Sequence, residues 1–158
     1  MTDSFVRFLH TQPEMTRLEF NSLYPPTPDI VFHPEALPNL KVLHCSSDFS
    51  ALLLPGRPIS HLQVSLSSVV NPYTAMFPSS DDTDSVQVLS VGLDHYSINA
   101  FYEFLSRFRN LKTLAVIAPN ILDLERLYRL LAVVSLSSPH IEFIRLCGPL
   151  LPQTFFPH

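Results

Sequence analysis

The chain has 158 residues, enough for one compact domain with a sizeable core. Charged residues make up 15% and the net charge is −4, which excludes a highly solvated disordered chain and offers no basic field for a nucleic-acid backbone. Proline stands at 15 residues and glycine at 3, a balance poorly suited to tight hairpin meanders or to glycine loops that cradle phosphates.

In chain order, Phe5 to Leu9 after Ser4 reads as a short helical turn. Asp3, Arg7, His10 and Glu14 interrupt any apolar run there, so no secretory signal is expected. A pattern of an apolar residue, two free positions, a second apolar residue, one free position and a third then recurs. It occurs at Met15-Leu18-Phe20, Leu40-Leu43-Cys45, Ile59-Leu62-Val64, Val86-Leu89-Val91, Leu111-Leu114-Val116 and Ile141-Ile144-Leu146. The starts lie 25, 19, 27, 25 and 30 residues apart, close to the 20 to 29 of leucine-rich repeats. Pro13-Glu14, Pro38-Asn39, Arg109-Asn110 and Pro139-His140 give several of these strands a similar polar or proline approach.

Between the strands the period lengthens. Phe49 to Leu53 after Asp48, stopped by Pro55-Gly56, reads as a short helix. Ile98, Phe101, Phe104, Leu105 and Phe108 recur at helical steps, with Ser97 as N-cap and Arg107 and Arg109 in the last turn. Leu124, Leu127, Leu131 and Val134 form another helix, opened by Asn120 and Asp123 and closed before Pro139. Residues 71–85, with Pro72, Pro78 and the acidic run Asp81-Asp82-Thr83-Asp84, read as an exposed loop, and 151–158 as a tail. The longest apolar runs, such as Leu130 to Val134, fall far short of the ~20 residues that span a bilayer.

A strand and a helix repeated with parallel strands bury their apolar faces only by stacking on neighbours. The expected fold is therefore α/β: a single domain over 1–158, a short irregular leucine-rich-repeat-like solenoid of about six repeats. Its parallel strands would line the concave face, with helices or loops on the convex one. Leu37-Pro38-Asn39-Leu40-Lys41-Val42-Leu43-His44-Cys45, then Leu54-Pro55-Gly56-Arg57-Pro58-Ile59-Ser60-His61-Leu62 and Phe108-Arg109-Asn110-Leu111-Lys112-Thr113-Leu114, resemble the repeat region of the F-box proteins with degenerate leucine-rich repeats that are abundant in mushroom-forming fungi. The resemblance covers roughly Phe5 to Leu146. It implies an intracellular, cytoplasmic or nuclear substrate receptor of an SCF-type ubiquitin ligase. The asparagine usual three residues after the strand in regular repeats is replaced by Leu23, Asp48, Ser67, Asp94, Pro119 and Pro149, so the coil should be irregular. Nothing before Met15 is long enough for an F-box, so the ligase adaptor is not expected to bind this chain.

Chemistry is sparse in the residues themselves. Cys45 and Cys147 lie far apart in apolar strands and read as buried free thiols. His44 and Cys45 point to opposite faces, and a His44 and His61 pair lacks the third ligand a zinc site needs. The acidic run lacks the glycine turn and closing glutamate of a calcium loop. No Gly-x-Ser-x-Gly elbow occurs. No cofactor, metal or catalytic residue is therefore assigned, and the expected function is non-catalytic binding of a protein of unknown identity, with no nucleic acid and no membrane as partner. The alternatives are a receptor fragment without independent function and an enzyme of unrecognised fold. The binding surface follows from alternation: in each strand the residues flanking the middle apolar position face away from the core. They are Arg17 and Glu19, Val42 and His44, His61 and Gln63, Val88 and Ser90, Thr113 and Ala115, and Phe143 and Arg145. Of these Arg17, Glu19, His44, His61, Gln63, Thr113, Phe143 and Arg145 are the candidate partner-binding residues, with the aromatic and arginine at the C-terminal end the best anchors.

Overall fold

The computed structural model describes residues 3–20, 32–33, 35–66, 80–93, 98–117, 124–138 and 140–147. In chain order the elements are α1 (Asp3–His10), β1 (Arg17–Glu19), β2 (Val42–Ser46), α2 (Ser47–Leu53), β3 (His61–Leu66), β4 (Val88–Leu93), α3 (Ile98–Leu105), β5 (Thr113–Ile117), α4 (Leu124–Ser137) and β6 (Phe143–Cys147). The fold is mixed α/β. The strands form one open sheet in which each pairs in parallel with its neighbour in sequence, in the order β1-β2-β3-β4-β5-β6.

The repeated apolar pattern fixes the register. The middle positions align as one column, Leu18-Leu43-Leu62-Leu89-Leu114-Ile144. The third positions align as a second, Cys45-Val64-Val91-Val116-Leu146. A slip of one residue would turn both columns to water, so burial of this face specifies the register. From β2 to β5 both columns are buried, as are the first positions Leu40, Ile59, Val86 and Leu111. At β6 the equivalent Ile141, Ile144 and Leu146 are only half-buried.

The helices close the inward face. α2 packs on β2 and β3, and α3 packs on α4. Leu9 from α1, Phe49 and Leu53 from α2, Phe101, Phe104 and Leu105 from α3 and Val134 from α4 all join the same core as the strand columns. Phenylalanines link elements: Phe20 after β1 sits 5.7 Å from Phe5 and 4.9 Å from Phe49, centroid to centroid, within the range of favourable aromatic pairs.

Three local expectations change. The helix expected to run to Phe108 ends at Leu105, and its last turn tightens. The Ser106 amide still bonds Tyr102, but the Arg107 and Phe108 amides bond Phe104 and Leu105, three residues back. Phe108 stays buried, and Arg107 and Arg109 lie beyond the helix. α2 starts at Ser47, with Ser46 as its extended N-cap, because β2 runs straight into it. Asp48 therefore lies inside the first turn. Residues 80–85, expected to end an exposed loop, form a 3-10 helix over Ser80–Thr83 whose Thr83 is buried and donates to the Arg107 carbonyl at 2.5 Å. The rest of that segment, the proposed caps Ser97, Asn120 and Asp123, and the tail 151–158 fall outside the described residues.

Side chains fasten the approach to one strand to the approach to the one before. Asn39 Nδ2 donates to the Pro13 carbonyl (3.0 Å), Ser85 Oγ to Ile59 (2.9 Å) and Asn110 Nδ2 to Asp84 (2.9 Å). Asn39 and Asn110 are the two asparagines whose turns stood out in the sequence. Their role is mechanical: each satisfies a carbonyl that the parallel ladder has not yet reached.

Candidate functional site

The side of the sheet opposite the core carries two continuous rows. Arg17-Val42-His61-Val88-Thr113-Phe143 is the first and Glu19-His44-Gln63-Ser90-Ala115-Arg145 the second. All eight candidate residues thus stand on one face, about 4.8 Å apart from strand to strand. Arg17, Glu19, His61, Phe143 and Arg145 are exposed, and His44, Gln63 and Thr113 half-buried. Arg17 grips Glu19 on its own strand through Nε and Nη2, both donating to Oε1. Ser60 Oγ lies 3.0 Å from His61 Nδ1.

His61 stands opposite Val42, and His44 opposite Gln63, so the two imidazoles are offset along the sheet. Among the described residues no group of three or more histidine, cysteine or acidic side chains is arranged to hold a metal ion. Cys45 and Cys147 are both free thiols. Cys45 lies in the buried column, where loss of water around the thiolate pushes its pKa up to about 12, so it is protonated and unreactive at neutral pH. Cys147, expected to be buried, is half-exposed at the end of β6.

The structure adds two features that the six-residue motif did not reach. Because β2 to β6 run past their third apolar position, a third outward row follows: Ser46-Ser65-Gly92-Ile117-Cys147. Ile117 and Phe143 are large apolar side chains left 40% and 42% exposed, so apolar surface gathers at the β5 and β6 end while Arg17 and Glu19 hold the other. A Cβ added at Gly92 would meet nothing closer than 3.7 Å, so the shallow middle of this row reflects the residue present and not a steric need.

The second feature is a groove of about 480 Å³ below the outward rows, at the approaches to β4, β5 and β6. Gln87, Lys112 and Glu142 line it from successive strands, flanked by Asp84, Arg109 and His140. Backbone bonds from Lys112 to Gln87 (2.9 Å) and from Glu142 to Lys112 (2.8 Å) hold these positions in line. Polar residues directly before each strand carry the sequence signal for the groove, but they have no place in the apolar triplet.

One buried charge serves the scaffold. The Arg57 guanidinium is 4% exposed and donates to four carbonyls. Nε reaches Ala36 (2.8 Å), Nη1 reaches Leu53 and Pro55 (3.1 Å each), and Nη2 reaches His33 (2.7 Å). Burial lowers its pKa, yet an arginine stays cationic in proteins. It ties the segment before β2 to the turn after α2, where Gly56 adopts a left-handed φ of 70°. No family model, no curated protein and no solved structure matches the chain. No helix among the described residues is long and apolar enough to cross a membrane.

Proposed function

We propose that the chain is a short leucine-rich-repeat-like solenoid that binds another protein through the outward, concave face of its sheet. It would act without catalysis, as the substrate-recognition repeats of the F-box proteins it resembles would. The observation that supports this is the contrast between the two faces of one sheet. The inward face is apolar and buried, while the outward face carries charged, imidazole and amide side chains over β1 to β3, small neutral ones over β4 and β5, and Phe143 with Arg145 on β6. Backbone already fixed in strands spends no loop-ordering entropy on meeting a partner. The polar groove under β4 to β6 widens the same surface, and the exposed Phe143 and Arg145 are residue types that anchor interfaces.

Affinity capture with the wild-type chain and with the Arg17→Ala, His61→Ala, Phe143→Ala triple variant tests the reading. The three positions sample both ends and the middle of one row. The expected result is a specific partner retained by the wild type and lost by the variant, with unchanged circular dichroism. A partner captured equally well by both would place binding elsewhere.

A further inference from the structure

The two edges of the sheet differ, and they fit each other. Among the described residues β1 has a strand on one side only, and so has β6. An unpaired strand edge presents a row of N–H and C=O groups ready to pair with another chain. At β6 the inward side chains are incompletely covered too: Ile144 is half-buried, whereas Leu43, Leu89 and Leu114 in the same column are 0% exposed.

Continuing the parallel ladder by one more strand, in the register that relates every existing pair, sets β1 of another molecule beside β6. The column positions then match as they do inside the sheet, with Ile144 against Leu18. On the outward face Phe143 meets Arg17 and Arg145 meets Glu19. The first is a cation over an aromatic ring and the second an opposite-charge cross-strand pair. Both groups of the ion pair have capacity to spare. Arg145 makes no ion pair or hydrogen bond among the described residues, and Glu19 uses only Oε1 for Arg17. Pairing two β6 edges antiparallel gives no such match, because the outward partner of Arg145 would be Arg145, Phe143 or Cys147, none of them acidic.

We propose that the occupant of the β6 edge is β1 of a second copy of this chain, so that molecules associate head to tail through one continuous sheet. Such an interface is heterologous, and it yields rings or open chains instead of stopping at a dimer. The ion pair lies on a solvent-facing surface, so added salt weakens the association.

Light scattering and sedimentation across a concentration series test this with the full chain. The wild type is expected to grow beyond a dimer as concentration rises. Arg145→Glu or Glu19→Arg alone should weaken association by about tenfold or more, the cost of turning a close interfacial charge pair into like charges. The double variant, which restores the pair with its signs exchanged, should recover it. Both residues are exposed, so circular dichroism should confirm that each variant folds. A chain that stays monomeric at all concentrations overturns the proposal. So does a dimer that grows no further, or association indifferent to either single reversal or not restored by the double.

Discussion

Replacing Leu89 by Ala probes the core at the point where the sheet is best covered. Leu89 is 0% exposed and lies between Leu62 and Leu114 in the column, with strands on both sides. The substitution removes three carbons, about 2–3 kcal/mol of transfer free energy at ~0.8 kcal/mol per buried methylene. The parallel ladder on both sides limits collapse, so a cavity term adds to this and the total falls at about 3–5 kcal/mol. That is a large share of the roughly 5–15 kcal/mol that stabilises a small domain. Ile144, in the same column but half-buried at the edge, should cost about half as much on truncation to Ala, since much of its surface is already wet. Urea denaturation followed by circular dichroism measures both, with an unchanged m-value confirming that only stability moved. A Leu89→Ala cost below about 1 kcal/mol, or an Ile144→Ala cost equal to it, would refute the shared column and its gradient of burial.

Arg57→Met keeps the aliphatic stem but strips the donors from four carbonyls, and should cost about 2–4 kcal/mol in the same assay. Arg57→Lys should recover only part, because one ammonium cannot reproduce the fork, so full recovery would show that charge alone matters. The two described glycine backbones make opposite claims. Gly56→Ala should cost about 1 kcal/mol for its φ of 70°, whereas Gly92→Ala, with 3.7 Å of clearance, should be neutral or slightly stabilising. Cys45 favours the folded state while its thiol stays protonated. Its pKa rises from 9.0 to about 12 on folding, so that contribution is complete below pH 9 and is lost at up to ~1.4 kcal/mol per pH unit above it. Urea midpoints between neutral pH and pH 10 should therefore fall more steeply for the wild type than for Cys45→Val; equal slopes would contradict the burial argument. In the native protein a thiol reagent should label Cys147 long before Cys45, and the reverse order would place the wrong cysteine inside.

Much of the sheet was legible because its information is local. A spacing of three and then two between apolar residues states which side chains share a face, and repetition at near-constant intervals states that the strands stack in register. All eight candidate residues fall on one face for the same reason. Other features depend on partners distant in sequence, which no local pattern records. Arg57 reads as a lone cation between Gly56 and Pro58, and only the carbonyls of His33 and Ala36 beside it turn it into a fastener. The groove likewise combines residues from three successive approaches, each unremarkable alone. Helix ends escape the apolar spacing where competing bonds decide them. Phe108 keeps the helical apolar spacing and its buried place, while the backbone beneath it has already tightened into three-residue bonds.

The scarcity of charge has a structural consequence. A chain with few ionic side chains distributes them unequally over its two edge strands. β1 is three residues long and places Arg17 and Glu19 on its outward side, the short and charged form in which natural sheets blunt an edge. β6 is five residues long and places Phe143 and Cys147 around a single arginine. If each edge were simply protected from aggregation, both should carry the charged form. Unequal edges whose charges complement one another are instead what the proposed directional contact requires, because β1 beside β6 in the sheet's own register sets Arg145 against Glu19 and Phe143 against Arg17.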